Sequence, residues 1–409
     1  MKIALIMQRI ETWRGGAETS VMQYAAELGR RGCQVHIYTG SSGPAPDDVV
    51  VHTVPCRARL RSRRTLCFVR RATAAVGERT FDVVHAITPC PGADIYQPRG
   101  GTARETGLRN IEACTTWLGR WLKRASLACN LQHRLMLRLE QRLCGSADGP
   151  VIVAVSEYVA RQLREHYGLT PPRVQVVSNG VDVGRFDPGQ SEQQRRQVRQ
   201  RLALQPEAVA ALFVAHNFKL KGLPSAIRAL AGVVKRVPEP ARLIVVGRDD
   251  PRPWRRLAER LGVGGHVMFA GASEEPSEFF WAADLLVHPT FYDPCSRVVL
   301  EALACGLPVI TTRHNGAAEL ITDGREGYVI DSGHEIAALT DRWCALMDPQ
   351  LRRRCREYAL QRRHEVSMER HVEQMLEVYR RVCAAKGRRA HSGEGTTVPS
   401  GFTVRGAGL

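Results

Sequence analysis

From Asp284 to Thr312 the chain reads DLLVHPTFYDPCSRVVLEALACGLPVITT. Leu285 to Val287 make a short apolar run of the kind that forms a buried strand. A polar loop follows through Asp293 to Ser296, and Val298, Val299, Leu300, Ala302 and Leu303 then continue as a helix. Gly306 and Pro308 stop that helix, and Val309 to Thr312 begin the next strand. Strand, helix and strand in this order predict a parallel sheet of an α/β protein.

The same alternation extends in both directions. Upstream lie ALFVAH (211–216), a helix after Lys221, RLIVVG (242–247), a helix after Pro253 and HVMFAG (266–271), which together predict a doubly wound unit. A separate series begins at the amino terminus. Ile3 to Met7 reads as a buried strand, Val21, Met22, Tyr24, Ala25 and Leu28 recur at helical spacing, and Gly32 closes that helix. Gln34 to Tyr38, Phe81 to Ala86 and Val151 onward supply further strands. The expected organisation is a first Rossmann-like domain over 1–171, a second over 172–367, a helix from Met368 to Ala385 packing back on the first, and a disordered tail over 386–409.

The length of 409 residues suits two domains at about 100 to 200 residues each. An apolar share of 44% with 24% charged residues describes a folded, water-soluble body. The opening MKIALIMQRIETW reads as a strand rather than a signal peptide, and no run approaches the roughly 20 apolar residues of a membrane span. The twelve cysteines include no C-x-x-C pair and no zinc-ligand spacing, which predicts no metal site and a reducing cytoplasm. The excess of 58 Lys and Arg over 41 Asp and Glu, +17, favours an acidic partner: nucleic acid, anionic lipid or a phosphorylated substrate.

Ligands of open parallel sheets sit at the carboxyl ends of the strands, so the residues just after each strand are the candidates. Gly15 and Gly16 precede the first helix, where backbone N–H groups approach a diphosphate closely or merely make a turn. Lys221 follows a strand and is either a cation for a leaving diphosphate or a solvated loop lysine. Near Ser296 a helix begins whose free N–H groups face an anion. Glu301, a carboxylate inside an apolar helix, needs hydrogen-bonding partners if buried, and ribose hydroxyls fit. His85 follows a strand and is a candidate base or a packed loop histidine.

Taken together, Gly15-Gly16, Pro91 to Tyr96, Ser178 to Asp182, Lys221-Gly222, Val246-Gly247 and the Asp293 to Pro308 block resemble the retaining glycosyltransferases of family four, with the GT-B fold. Within that family the chain is similar to lipopolysaccharide core glucosyltransferases acting on heptose, over nearly all its length to Ala385. The resemblance implies that Gly15, Gly16 and Lys221 meet the donor diphosphate, that Glu301 holds the ribose, and that Asp293 stands where a Glu contacts the donor sugar. The backbone of Cys295, Ser296 and Arg297, with Gly247, lines the donor site. His216 stands where many relatives carry an Arg, with Lys219 as a substitute cation. Asp94 matches an acidic residue near the acceptor, where it orients or deprotonates the acceptor hydroxyl or else serves as a structural cap. The implied donor is a UDP-sugar, UDP-glucose by this resemblance, with no further cofactor and no metal ion.

Between Arg99 and Arg142 basic residues exceed acidic ones, Arg134, Arg138 and Arg142 share a helical stripe, and Trp117 and Trp121 lie nearby. Arg57, Arg59, Arg61, Arg63 and Arg64 form a second cluster. Both fit an anionic membrane surface, at about 1 kcal/mol per added cation, or a solvated helix over the core. They lack the aromatic platforms of single-strand and RNA modules, so no nucleic acid partner is expected. The resulting expectation is a cytoplasmic hexosyltransferase, peripheral on the inner membrane face, acting on a glycolipid. Its rivals are a GT-B sugar-nucleotide epimerase and a basic binding protein on a degenerate GT-B scaffold.

Overall fold

The computed structural model describes residues 1–11, 16–41, 43, 46–114, 116–187, 191–273 and 275–391. Seven strands make the first sheet: β1 (Lys2–Ile6), β2 (Gln34–Thr39), β3 (Val49–Thr53), β4 (Val83–Ala86), β5 (Ile95–Tyr96), β6 (Val151–Ala154) and β7 (Val174–Val176). Six make the second: β8 (Val209–Val214), β9 (Ala241–Val246), β10 (Val267–Gly271), β11 (Leu285–His288), β12 (Val309–Thr312) and β13 (Gly327–Ile330). Between the strands of the first sheet run α1 (Gly16–Arg30), α2 (Arg61–Gly77), α3 (Ala103–Glu112), α4 (Trp117–Cys129), α5 (Leu131–Gly145) and α6 (Glu157–Tyr167). The second half carries α7 (Ser191–Arg201), α8 (Leu223–Val234), α9 (Arg252–Arg260), α10 (Ser277–Ala282), α11 (Arg297–Ala304), α12 (Ile336–Ala345), α13 (Pro349–Gln361) and α14 (Met368–His391).

Every strand pairing is parallel. Runs such as KIALI and VAALFV are buried almost throughout, as strands with helices on both faces must be. The strand orders are β3-β2-β1-β4-β5-β6-β7 and β10-β9-β8-β11-β12-β13. Each reverses beside its first strand, which opens a crevice at the carboxyl ends of β1 and β4 and of β8 and β11. The fold is two Rossmann-like domains of GT-B type.

The first domain extends beyond Pro171, because β7 pairs with β6 and completes the first sheet. The chain crosses over next to the returning segment before α14: Val181 N–H donates to Val366 O, and Met368 N–H donates to Val181 O. Gly180 permits this contact, since a Cβ there would lie 2.6 Å from Ser367 O.

The last helix, α14, packs on α1 in the core of the first domain, with Tyr24, Tyr379, Met375 and Val372 buried together. It runs to His391, past the expected end at Ala385, so residues 386–391 are helical rather than disordered. Lys386 helps to hold this extension, donating to Asp82 O and pairing with Asp94. The expected disorder of 392–409 falls outside the described residues.

Candidate active site in the interdomain cleft

The turn after β8 and the loop after β11 meet because Gly222, at φ +85°, lies directly against Pro289, where a Cβ would stand 2.1 Å from the carbonyl oxygen. Lys221 is thereby brought to Asp293, with Nζ 2.7 Å from Oδ2 and donating also to Tyr292 O at 2.9 Å. His288 Nε2 lies 3.7 Å from the same carboxylate oxygen. Burial pushes the Asp293 carboxyl up, but the Lys221 ammonium and the His288 ring outweigh it and hold it well below the usual carboxylate range. Burial keeps the His288 ring below its usual value. Asp293 is therefore ionised across the physiological range, and Lys221 stands at the mouth of the second sheet.

The next segment turns into α11. Ser296 caps it without a side-chain hydrogen bond of its own, while its backbone N–H donates to Asn315 Oδ1. Cys295 is buried, its carbonyl accepting from Asn179 Nδ2 in the loop after β7, and burial pushes its thiol up to about 12. One turn into α11 lies Glu301, 8% exposed, whose carboxyl burial raises and Arg297 partly restores. Arg297 Nη2 donates to Glu301 Oε1 at 3.2 Å and to Gln23 Oε1 of α1 at 3.0 Å. Its Nη1 is buried without a partner. The stem of Arg297 rests on Gly16, where a Cβ would come within 3.3 Å of its Cδ.

The side chain of Arg297 thus spans the cleft from the second domain to the start of α1. Only its backbone was expected there, although its spacing of four residues from Glu301 was the available sequence signal. Gly15 lies outside the described residues. Gly247, after β9, is needed by the fold, for a Cβ would stand 1.9 Å from Ala215 O.

Lys219 is not drawn into this cluster. Its side chain reaches the first domain instead, with Nζ 3.8 Å from Cys114 Sγ, so the expected substitute for a second phosphate cation is not in place beside Lys221.

Two candidates from the first domain are corrected by their surroundings. Asp94 sits at the amino end of β5, the edge of the sheet opposite the cleft, where it accepts from Val84 N–H and pairs with Lys386. It fastens strand β4 and α14 rather than contacting an acceptor. His85 is fully enclosed, its Nδ1 2.7 Å from Tyr379 Oη of α14, and burial holds its ring at about 3. A ring that is neutral and sealed beneath α14 does not act as the base.

Beside it runs a buried polar chain that sequence reading missed. Tyr24 and Tyr379 share a hydrogen bond of 2.5 Å, and Arg99 is pinned between Ser20 Oγ at 3.1 Å and His371 Nε2 at 2.7 Å. Burial lowers Arg99 to about 10. Arg99, the first residue of the expected membrane-facing stretch, is therefore an interior residue. Farther along the stretch Arg134, Arg138 and Arg142 are exposed while Leu139 and Leu143 are buried in the core. Helix α4 differs: it has no buried residue, and Trp117, Leu118, Trp121 and Leu122 are 80%, 50%, 60% and 53% exposed.

Among the described residues no three His, Cys, Asp or Glu side chains converge as metal ligands, and no helix is long and apolar enough to cross a membrane.

Comparison with known proteins accords with this geometry. Residues 14–185 match the family Glycosyltransferase Family 4, and residues 194–362 match Glycosyl transferases group 1. The lipopolysaccharide glucosyltransferase WaaG of Escherichia coli (strain K12) is 28% identical over 77% of this chain and 82% of its own length. D-inositol 3-phosphate glycosyltransferase 2 of Catenulispora acidiphila is 32% identical over 78% of this chain and 79% of its own. A crystal structure of WaaG, a glycosyltransferase involved in lipopolysaccharide biosynthesis, superposes with a TM-score of 0.78 at 25% identity, covering 92% of this chain and 99% of that one. With both halves matched and the cleft residues assembled between them, the chain belongs to the family-four glycosyltransferases of GT-B fold and is a hexosyltransferase.

Proposed function

We propose that this hexosyltransferase is retaining and metal-independent, takes UDP-glucose as donor, and glucosylates a lipopolysaccharide core or comparable envelope glycolipid. We further place it at the cytoplasmic face of the inner membrane, held there peripherally. The observation that carries the reading is the segment from Asp293 to Glu301, which presents two carboxylates largely out of water, each paired with one cation, Lys221 and Arg297.

In this reading Glu301 accepts hydrogen bonds from the ribose hydroxyls, and ionised Asp293 accepts one from the donor sugar. The diphosphate lies between Lys221 Nζ, the opening N–H groups of α11 and Gly16. As the acceptor oxygen bonds to the anomeric carbon, the bond from that carbon to the phosphate oxygen breaks and its electron pair leaves with UDP. The acceptor proton passes to that departing oxygen on the same face, which retains configuration. Fixed donors aimed at the growing phosphate charge stabilise the transition state.

The glycolipid acceptor is supported by the similarity to WaaG and by α4, whose exposed Trp117 and Trp121 are interleaved with Arg120, Lys123 and Arg124 and whose first turn carries no acid. Such a helix suits an anionic headgroup layer. The similarity to inositol phosphate glycosyltransferases favours a second reading, a soluble phosphorylated acceptor. The exposed apolar stripe of α4 speaks for the lipid.

Calorimetric titration with UDP, UDP-glucose, UDP-galactose, UDP-N-acetylglucosamine and GDP-mannose, with and without EDTA, tests the donor. The expected result is EDTA-insensitive binding of UDP-glucose that is lost in Glu301→Ala. Preference for another sugar, or loss of binding in EDTA, overturns the corresponding part of the reading.

A further inference from the structure

At the amino ends of β11 and β12, on the side of the second sheet away from the cleft, lies a cavity of about 280 Å³. Its size is near the lower end, about 300 Å³, of small-molecule clefts. Its wall includes Arg195 of α7, Trp281 of α10, and Arg352, Arg353 and Arg356 of α13, with Asp284 and Glu192 as the acidic members.

Asp284 is already neutralised. Its carboxylate pairs with Arg195 at 2.7 Å and Arg199 at 3.3 Å and accepts the Ala210 N–H at 2.8 Å. Arg352, Arg353 and Arg356 have no carboxylate at ion-pair distance among the described residues, although the Asp284 and Asp348 charges act on Arg352 from farther away. Two of them are nevertheless held in place by neutral groups. Arg352 Nη1 donates to Leu346 O and Met347 O, both at 2.7 Å, and Arg356 Nη1 donates to Cys305 O at 3.3 Å. The part-buried guanidinium groups of Arg352 and Arg356, oriented by carbonyls, and the exposed one of Arg353 outnumber the acids of the wall, Asp284 and Glu192, and leave N–H donors for an anion. Planar guanidinium forks match phosphate oxygens two at a time.

We infer that this cavity is a second anion site, which binds the phosphoryl group of a small phosphorylated molecule, separate from the donor cleft. The inference does not rest on the reading of the cleft. Helix α11 joins the two places, with Arg297 and Glu301 in the cleft and Cys305 to Leu307 in the cavity wall.

The test is titration with inorganic pyrophosphate at low salt, in a Lys221→Ala background that weakens anion binding in the cleft, comparing that protein with Arg353→Glu/Arg356→Glu and the milder Arg353→Gln/Arg356→Gln. Thermal melts check that each variant folds. The expected result is binding that weakens roughly tenfold or more in both double variants. Sedimentation with vesicles containing phosphatidic acid forms the second arm. Loss of vesicle binding in the double variants without any pyrophosphate binding assigns the phosphate to a lipid headgroup instead of a free molecule. Pyrophosphate and vesicle binding that are both absent, or both unchanged by the substitutions, overturn the site.

Discussion

The two domains share one architecture but treat the carboxyl ends of their strands in opposite ways. In the second, the loops after β8 and β11 present Lys221 and Asp293 to the cleft, 2.7 Å apart. In the first, the polar residues in and after β4 and β5, His85 and Arg99, are covered by α14 and tied to Tyr379 and His371. A residue at the end of a parallel strand is thus functional only if nothing later in the chain packs over it. The helix that decides this arrives from the far end of the sequence.

Replacing Lys221 is the strongest way to break this contrast. Lys221→Ala is expected to lower turnover of the nucleotide sugar by about 10²- to 10³-fold, as for loss of one charge-stabilising donor, measured by release of UDP under saturating donor. A drop no larger than that of an exposed lysine elsewhere would place the cation outside the reaction.

The next effect belongs to the sealed half. His85 is held at about 3 and His371 well below its ordinary value, both by burial, with the Arg99 charge adding to the shift. The unfolded chain therefore binds more protons than the folded one below about pH 6.5. Stability from these rings is complete above that pH and declines as pH falls. From about pH 6.5 to about pH 5 the loss from His85 alone is about 2 kcal/mol. Asp293, held low, acts in a separate and more acidic window, since its contribution is present above its unfolded value and lost as pH drops through the folded one. Thermal melts across pH 7 to pH 5 read the histidine effect. A flat profile would mean that α14 does not seal the pair.

The smallest effect on folding is expected at α4. Trp117→Glu with Trp121→Glu should change stability by no more than about 0.5 kcal/mol per site, since both rings are exposed, yet abolish flotation with anionic vesicles. Retained flotation would leave the basic stripe of α5 as the attachment.

Much of the site was legible because its residues are neighbours in sequence. Asp293, Ser296 and Glu301 follow one strand in a single strand, loop and helix unit, and local spacing alone puts them on one edge. Lys221 was legible for the same reason, with Gly222 marking the tight turn behind it. Asp94 and His85 stayed open between a chemical and a structural role because the alternation of strands shows where a sheet has edges but not which edge a loop occupies or what covers it. Arg297 was underread as backbone only. Its partner Gln23 lies in the other domain, and no local pattern reports a contact across a cleft.

By itself the sequence determined the two doubly wound sheets, their order along the chain and the polar loop at Asp293. Hydrophobic periodicity and glycine placement are local properties and act before the chain has a shape. Only the tertiary structure decided that His85 and Arg99 are interior, that Arg297 bridges the domains, that α4 leaves its tryptophans in water and that Arg352, Arg353 and Arg356 of α13 line one cavity. These depend on which surfaces meet after folding, and burial, which sets both the charge state and the accessibility of a side chain, is a property of that meeting.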